Sequence, residues 1–423
     1  MSSDVYVELL SYKRESTYYK YLYCFLLYLC ILEKWYEIGK QEEFGLRNRC
    51  SNPLFHNVFL IIVSSLGGFL LSLTGMSIGW MIGSLMMAGF LSFYGSKWKK
   101  ESSSNKGIHP YWRHVGQGIL GIQLGQSISL SIFDTFEDHF IIIFIILIFS
   151  IIFALLSGLV LWRYSKADMM TSLFGTTPGG ISAMPTIAEE VGANTMIVSI
   201  VQTLRIFLVV GTIPLLAGAV QSNPVQHTFT HSGTSLNMWT FTWTILLVIG
   251  ALSGAYTGKR TSLPAPWLVG GMLGTAVIQT VGSSIIGKDL AAWWPHVLII
   301  LAQILIGTSI GSRVHREMFN GSKQVIAVGL LTSTGLVTAM ALCSFLISIW
   351  THIPLITCIL AFAPGGVAEM ATTSFTLHAD STFVVAVQSL RLMTILLILP
   401  PFFRLLNNSS FQNFVLYRKR LRN

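Results

Sequence analysis

The sequence predicts an all-α polytopic membrane protein made of two inverted five-helix repeats, each with one helix broken at a Pro-Gly-Gly segment. The first observation is composition: of 423 residues, 52% are hydrophobic and only 11% are charged, which departs from the balance of a soluble chain. The second is an internal duplication with an offset of 186 residues. The third is the placement of lysine and arginine between the apolar stretches.

The duplication is clearest at two short motifs. The segment 177–180, followed by Gln202 and Arg205, recurs as the segment 363–366, followed by Gln388 and Arg391. The same offset pairs Gln117, Gly121, Gly125, Met184, Asn194 and Pro214 with Gln303, Gly307, Gly311, Met370, Asp380 and Pro400. So many matches at one spacing indicate an internal repeat.

Apolar stretches long enough to cross a bilayer predict about ten spans in all. In the first repeat the helices are predicted near 57–74, 77–95, 112–131, 139–163 and 195–219, with a broken segment near 168–190. In the second they are predicted near 240–257, 264–283, 295–311, 325–349 and 381–405, with a broken segment near 353–376.

The basic residues predict the orientation of each half. They cluster at 47–49, 97–113 and 163–166, and then at 259–260, 313–323 and 404–422, so these segments are predicted to be cytoplasmic. The linker 221–237 has no lysine or arginine and is predicted to be extracytoplasmic, while Lys288 is the one misplaced charge. Five crossings per half then invert the second repeat. If the Pro-Gly-Gly segments crossed completely, the repeats would instead be parallel.

The predicted organisation has five parts. These are an amino-terminal extension (1–50), a first repeat (55–220), the extracytoplasmic linker (221–237), a second repeat (238–405) and a basic cytoplasmic tail (406–423). Within the extension, Tyr18 to Leu32 is short and interrupted by Lys20, so an interfacial helix is favoured over an additional span.

The Pro-Gly-Gly segments are predicted to break their helices and to create a polar site. Proline lacks a backbone donor and glycine permits unusual dihedral angles. The amino-terminal end of a half-helix attracts anions, and freed carbonyl groups coordinate Na⁺ or a protonated group. The alternative is a kink that serves packing alone.

Two arginines lie in apolar sequence, where an unpaired charge is costly. Glu369 is the leading counter-charge predicted for them, with Asp380 and Glu189 or Glu190 as others; a structural ion pair and substrate binding both stay open. The glutamines share a helix face with the arginines, or serve interhelical hydrogen bonding. The predicted substrate or ion site comprises Thr177, Pro178, Gly179, Gly180, Gln202, Arg205, Pro364, Gly365, Gly366, Glu369, Gln388 and Arg391.

Other features have structural interpretations. A row of glycines is predicted to serve close helix packing, namely Gly116, Gly118, Gly121, Gly125, Gly307 and Gly311. Asp168 precedes the first broken segment, but Pro354 occupies the matching position of the second.

Both Pro-Gly-Gly motifs, with Gln202 to Arg205 and Gln388 to Arg391, resemble the membrane AbrB family of bacterial proteins, which has a duplicated AbrB domain. The resemblance covers about residues 55 to 405. Members carry labels of ammonia monooxygenase or regulator of gene expression. The family is distantly similar to cation-proton antiporters and bile-acid sodium symporters, which implies inverted five-helix repeats with two crossed broken helices. The adjacent intramembrane carboxylates of many such antiporters have no counterpart here.

The favoured function is a secondary transporter of a small solute, with an anion as one option, in the bacterial inner membrane. A membrane sensor or regulator that affects gene expression indirectly is the alternative, and a monooxygenase is remote. No enzyme activity, cofactor or metal is expected, because His227 and His231 form the one suggestive ligand spacing and lie in a polar linker. Expected partners are the lipid bilayer and a small-molecule or ion substrate, not nucleic acid; a homo-oligomer stays open.

Overall fold

The protein is described by a computed structural model that covers residues 53–76, 78–95, 107–128, 131–180, 183–220, 238–286, 292–314, 316–319 and 323–406. Several predictions fall outside these residues. They are the interfacial helix of the amino-terminal extension, the uncharged linker with its histidine pair, Lys288 and the basic tail.

The described residues form α-helices, with one short 3₁₀ helix and no strand among them. The first half contains α1 (Pro53–Ser72), α2 (Gly79–Gly95), α3 (Pro110–Gln126), α4 (Ser131–Tyr164), α5 (Met169–Thr176), α6 (Ala183–Glu190) and α7 (Thr195–Val220). The second half contains α8 (Met238–Arg260), α9 (Pro266–Ile286), α10 (His296–Gly311), α11 (Lys323–Thr351), α12 (Leu355–Phe362), α13 (Val367–Thr376) and α14 (Ser381–Leu406). Each half therefore has the same order of four helices, a divided helix and a last long helix.

Six of these helices are long and apolar enough to cross a membrane, namely α4, α7, α8, α9, α11 and α14. The segment Ile143–Tyr164 of α4 has the highest mean hydropathy, 3.0. Large apolar side chains point outward from these helices, as Leu331 and Leu346 do from α11. An outward apolar surface of this kind suits lipid rather than water, so the prediction of an all-α polytopic membrane protein is confirmed.

The predicted helices and both breaks are present, although α4 differs at its start. It begins at Ser131 rather than near residue 139 and so includes Asp134, Glu137 and Asp138, which were predicted to be a loop. Charged residues end a predicted span because they are unfavourable in hydrocarbon, but a helix can continue beyond the hydrocarbon with charged residues.

The helices form two bundles. In the glycine-packed bundle, α1 packs on α2 and α8 on α9, while α2 contacts α10 and α3 contacts α9 across the two halves. The hairpin bundle contains α4 to α7 and α11 to α14. The bundles meet where α13 contacts α3 and α10, and where α7 contacts α10.

Close backbone approach holds the glycine-packed bundle together. A methyl group on Gly121 would lie 2.8 Å from the Leu268 carbonyl oxygen, and a methyl group on Gly307 would lie 2.5 Å from that of Met81. Gly116, Gly125 and Gly311 make similar contacts, so their predicted packing role is confirmed. The prediction is wrong for Gly118, which has open space around it.

Candidate functional site

Each Pro-Gly-Gly segment ends one short helix and precedes another. Helix α5 ends at Thr176 and α12 ends at Phe362, one residue before the respective Thr177 and Ala363 caps. After each cap, the amide of the first glycine donates a hydrogen bond to the carbonyl oxygen of the cap residue. The distance is 2.9 Å from Gly179 to Thr177 and 2.8 Å from Gly365 to Ala363. These are true breaks rather than kinks.

The two helices on either side of each break form a hairpin. The amide of Asn194, after α6, donates to Thr171 Oγ1 near the start of α5 at 2.8 Å. The amide of Asp380, after α13, donates to Thr357 Oγ1 near the start of α12 at 3.4 Å. The chain therefore leaves each hairpin beside the point where it entered, and the Pro-Gly-Gly segment is the hairpin tip.

In the first hairpin, side chains of α7 bind the carbonyl groups that the break leaves free. Gln202 Nε2 donates to the carbonyl oxygens of Phe174 at 2.9 Å and Thr177 at 2.6 Å. Arg205 Nη1 donates to the carbonyl oxygen of Thr176 at 2.9 Å, and its Nη2 donates to Gln202 Oε1 at 2.7 Å. Both side chains are buried, so these bonds satisfy polar groups that water does not reach.

The second hairpin repeats the arrangement at the 186-residue offset. Gln388 Nε2 donates to the carbonyl oxygens of Leu360 at 2.8 Å and Ala363 at 3.0 Å. Arg391 Nη1 donates to the carbonyl oxygen of Ala363. Its Nη2 donates to the carbonyl oxygen of Gly365 at 2.9 Å and to Gln388 Oε1 at 2.6 Å. Each glutamine and arginine pair thus caps the carboxyl end of a half-helix.

The predicted counter-charges of the arginines are wrong. Glu369 binds Arg113 instead of Arg391, with Nη2 and Oε1 2.8 Å apart. Asp380 accepts from backbone amides at the start of α14, and Glu189 and Glu190 are exposed at the end of α6. The carboxyl end of a helix carries partial negative charge, so the carbonyl groups of the break replace a carboxylate as partners of Arg391.

A methionine side chain fills the space beside the first glycine of each tip, so a larger residue does not fit there without a shift. A methyl group on Gly365 would lie 2.9 Å from Met370 Cε, and a methyl group on Gly179 would overlap Met184 Cε. The second glycine differs between the tips, since Gly180 has a φ of 94° and Gly366 caps α13 with a φ of −87°. Only Gly180 needs the left-handed region that glycine adopts readily.

The second tip lies against the last long helix of the first half. A methyl group on Gly365 would lie 3.0 Å from Val209 Cγ1, one turn beyond Arg205 on α7. Polar groups of both halves are therefore gathered in one region of the hairpin bundle.

Asp168 has a local structural role. It is the amino-terminal cap of α5, and its Oδ2 accepts from the Thr171 amide at 2.9 Å. Pro354 is the matching cap of α12 and has no side-chain hydrogen bond. The asymmetry noted in the sequence at this position is therefore a difference in capping.

Two arginines near Glu369 were missed as site residues. Arg113 lies on α3 and Arg313 follows α10, and the sequence assigned both to cytoplasmic loops. The omission had a detectable signal, because Arg113, Arg313 and Glu369 face Ile299, Ser127 and Ala183 at the repeat offset. Charged residues that break an otherwise matched repeat mark a place where the halves differ in chemistry.

Two grooves elsewhere in the described part are apolar. One of about 220 Å³ lies between α4 and α11, and one of about 430 Å³ lies between α7 and the residues Val314, Met318 and Phe319. Within the same residues, no three His, Cys, Asp or Glu side chains are grouped as metal ligands would be.

Comparison with known proteins agrees with the motifs. The sequence profile of the family described as "Transition state regulatory protein AbrB" matches residues 80–407. A Bacillus subtilis (strain 168) protein named "Uncharacterized protein YhjN" is 46% identical over 361 residues, which cover 84% of this chain and 94% of that protein. An Escherichia coli (strain K12) protein named "Putative regulator AbrB" is 28% identical over 297 residues, covering 69% of this chain and 82% of its own length. Since the profile spans most of the chain and the B. subtilis relative is aligned over nearly its whole length, this protein belongs to the AbrB family.

Proposed function

We propose that the protein is a secondary transporter that carries a small anionic solute across the bacterial inner membrane. The observation that supports this most directly is the pair of hairpins with broken tips inside the helical bundle. Secondary transporters bind solutes at such discontinuous helices, where backbone polar groups face a cavity instead of lipid.

The depth of the tips fits this function. The first tip is bound by Arg205, ten residues into α7, which corresponds to about 15 Å along the helix. The hydrocarbon core of a bilayer is about 30 Å thick, so the tip lies about halfway across it. A solute site at the midplane is what alternating access requires.

The occupied carbonyl groups favour an anion over Na⁺. Gln388 and Arg391 already bind the carbonyl groups at the end of α12, which a sodium ion would otherwise use. At the start of α13, the amides of Val367 and Ala368 donate no hydrogen bond to any described residue. Free amides at a helix start attract negative charge.

Topology completes the proposal. Because each hairpin returns to the side from which it entered, each half crosses the membrane five times with α1 to α4 and α7, or α8 to α11 and α14. An odd number of crossings inverts the second repeat and leaves the uncharged linker 221–237 outside, with both termini in the cytoplasm. Helices shorter than a full span, such as α10, would then lie partly surrounded by protein.

A membrane sensor or regulator is the second candidate, and the name of the E. coli relative favours it. Such a protein would bind the same solute without moving it, and would act on gene expression through solute level or a partner protein. Monooxygenase activity is a remote third option, because the sequence lacks clustered ligands for a redox metal. We propose transport rather than catalysis. The proposed partners are the lipid bilayer and the solute, not nucleic acid, and a homo-oligomer is compatible with this function.

Flux through the purified protein tests the proposal. Proteoliposomes are given concentration jumps of acetate, succinate or inorganic phosphate, with and without an imposed sodium or proton gradient. A transporter gives uptake above protein-free liposomes that depends on one of the gradients. Binding of a probe without any flux would favour the sensor. If none of these anions is bound or transported, the proposal of an anion transporter is contradicted.

A further inference from the structure

A charged cluster lies where the two bundles meet, at the start of α13. It consists of Arg113 from α3, Arg313 after α10 and Glu369 in the first turn of α13. Arg113 Nη2 and Glu369 Oε1 are 2.8 Å apart, and the side chains are 19% and 0% exposed. Ser312 Oγ accepts from the Ile108 amide at 3.1 Å, so the start of α3 and the end of α10 are joined beside the cluster.

The cluster has two cations for one anion. Arg313 makes no side-chain hydrogen bond to a described residue. Burial, and then the charge of Arg113, lower the pKa of Arg313 to about 10, while Glu369 acts in the opposite direction. Arg313 therefore remains protonated at neutral pH, but as a poorly compensated cation that an added anion would stabilise.

Two polar atoms of the cluster lack partners although they are buried. They are Glu369 Oε2 and Arg113 Nε. A buried carboxylate usually has both oxygens satisfied, because an unpaired buried polar group is costly. The free oxygen of Glu369 is thus a place where a proton can bind without displacing an existing hydrogen bond.

The cluster is not part of the repeated framework. At the repeat offset its three residues correspond to Ile299, Ser127 and Ala183, none of which is charged. The Gln and Arg caps of the hairpins, by contrast, are present in both halves. A purely structural support for a hairpin start would be needed twice, so this cluster has a role that only one half performs.

We propose that Arg113 and Arg313 bind an oxyanion group of the solute, a carboxylate in the first instance, and that Glu369 must take up a proton for the solute to bind. In the empty state the Glu369 carboxylate serves as an internal anion for Arg113. A proton from solution adds to Oε2, the ion pair with Arg113 weakens, and the solute carboxylate takes its place between the two guanidinium groups. This inference rests on the proposed transport function and names its solute class and coupling ion.

The charge of the cluster explains why a proton and an anion are expected to bind together. The cluster has a net charge of +1 when empty, from two arginines and one glutamate. It keeps +1 when a proton and a monoanion bind together, since each cancels the other. Without the proton, the solute carboxylate would compete with the Glu369 carboxylate for Arg113 and would lie beside it as a like charge.

Other charged or titratable groups on helices packed against α13 have different positions. They are His109 just before α3, His114 on α3, His296 at the start of α10, Arg205 on α7, Cys358 on α12, Asp380 just before α14, and Arg391 on α14. Arg205 and Arg391 are bound to carbonyl groups and Asp380 to amides. His109 and His114 are close enough to each other and to Arg113 to need separate variants in any pH experiment.

Proton counting during anion binding tests the inference. The full-length protein in detergent is titrated with acetate, succinate and inorganic phosphate at about pH 5.5 and about pH 7.5, and the thermal midpoint reports binding. A pH indicator in weak buffer counts the protons taken up. For at least one probe we expect about one proton per anion, and an affinity that falls about tenfold for each pH unit. Glu369→Gln should bind that probe at high pH at least as tightly as the wild type does at low pH, without proton uptake.

Matched variants separate coupling from folding. Asp380→Asn makes the same chemical change away from the cluster and should keep the wild-type proton count, as should His109→Gln and His114→Gln. Arg313→Gln should lose anion binding at both pH values. Because Arg113→Gln leaves Glu369 buried alone, it is examined together with Glu369→Gln, and this double variant should be folded but bind no anion.

The inference is overturned if Glu369→Gln keeps the wild-type pH dependence, or if none of the three probes binds to either protein. Anion flux in proteoliposomes that ignores a proton gradient would remove the inference and leave the transporter. Proton-linked anion binding with no flux would support the inference about the cluster and contradict the transporter.

Discussion

The guanidinium group of Arg391 donates to the carbonyl oxygen of Gly365 over 2.9 Å, so the cation beside the second break is bound to the break itself. A charge buried in apolar sequence needs a partner, and here the partner is the carboxyl end of a half-helix. The same residue pattern performs the same task in the first half through Arg205. The arginines are therefore parts of the hairpin tips and hold them in shape.

Replacing either capping glutamine should destabilise the protein by a similar amount. Gln388→Leu removes the donors to the carbonyl groups of Leu360 and Ala363, and Gln202→Leu does the same for Phe174 and Thr177. Each unpaired buried group costs about 1–3 kcal/mol. The thermal midpoint in detergent should fall clearly for both variants.

Ser389→Ala is the control for this comparison, because the Ser389 hydroxyl bonds only within its own helix, to the Val385 carbonyl. Its midpoint should stay near that of the wild type. A drop for Gln388→Leu no larger than for Ser389→Ala would mean that these hydrogen bonds do not stabilise the tip.

Arg391→Ala should abolish solute uptake while the protein still inserts into the membrane. The change leaves the carbonyl groups of Ala363 and Gly365 without their donors and lets the tip move. Arg391→Lys keeps the charge but loses the two-pronged geometry, so an intermediate activity is expected. Uptake in proteoliposomes is compared after the inserted amount is equalised, and normal uptake by Arg391→Ala would remove this residue from the site.

Two glycines on one turn of α3 should respond in opposite ways to alanine. A methyl group at Gly121 would lie 2.8 Å from the Leu268 carbonyl oxygen, so α3 and α9 must separate, at a cost of about 1–3 kcal/mol. At Gly118 a methyl group meets no atom within 4 Å, and alanine should be neutral or stabilising by up to about 1 kcal/mol. Equal thermal midpoints for Gly121→Ala and Gly118→Ala would contradict the described helix packing.

The proposed topology predicts which loops a thiol reagent reaches from each side. Ser232→Cys, in the uncharged linker, should react with a membrane-impermeant maleimide only from outside the cell. Thr261→Cys, after the basic end of α8, should react only from inside. Both are made in a protein whose five native cysteines are replaced by serine. Labelling of Ser232→Cys from the cytoplasm would rule out the inverted arrangement.

Much of the fold could be predicted because its signals are local in sequence. The lengths of the apolar stretches predicted the helices, and the proline and glycine residues predicted the breaks near Thr177 and Ala363. The offset of the duplication correctly linked Gln202 with Gln388, and their equivalent hydrogen bonds follow from that link. Patterns of this kind depend on neighbouring residues and on the repeat, both of which the sequence contains.

Partners across the fold could not be predicted in the same way. Glu369, five residues after Pro364, was predicted to be the leading counter-charge of Arg205 and Arg391, but its partner is Arg113, 256 positions away. Carbonyl groups were also overlooked as partners of the arginines, because they belong to every residue and leave no mark in the sequence. Which charges meet depends on how the two bundles pack, and that information is not local.

Water access to a hairpin tip tests the central claim most directly. Gly365 is partly exposed, and the atom nearest to a side chain there would be Met370 Cε at 2.9 Å, the end of a side chain that can move aside. In the cysteine-replaced protein, Gly365→Cys should react with a small, charged, membrane-impermeant thiol reagent, and acetate, succinate or phosphate should slow the reaction. Leu346→Cys on the outer face of α11 serves as the lipid-facing control and should react only with an apolar reagent. If Gly365→Cys behaves like Leu346→Cys, the tip is not open to water and the proposed solute site does not exist.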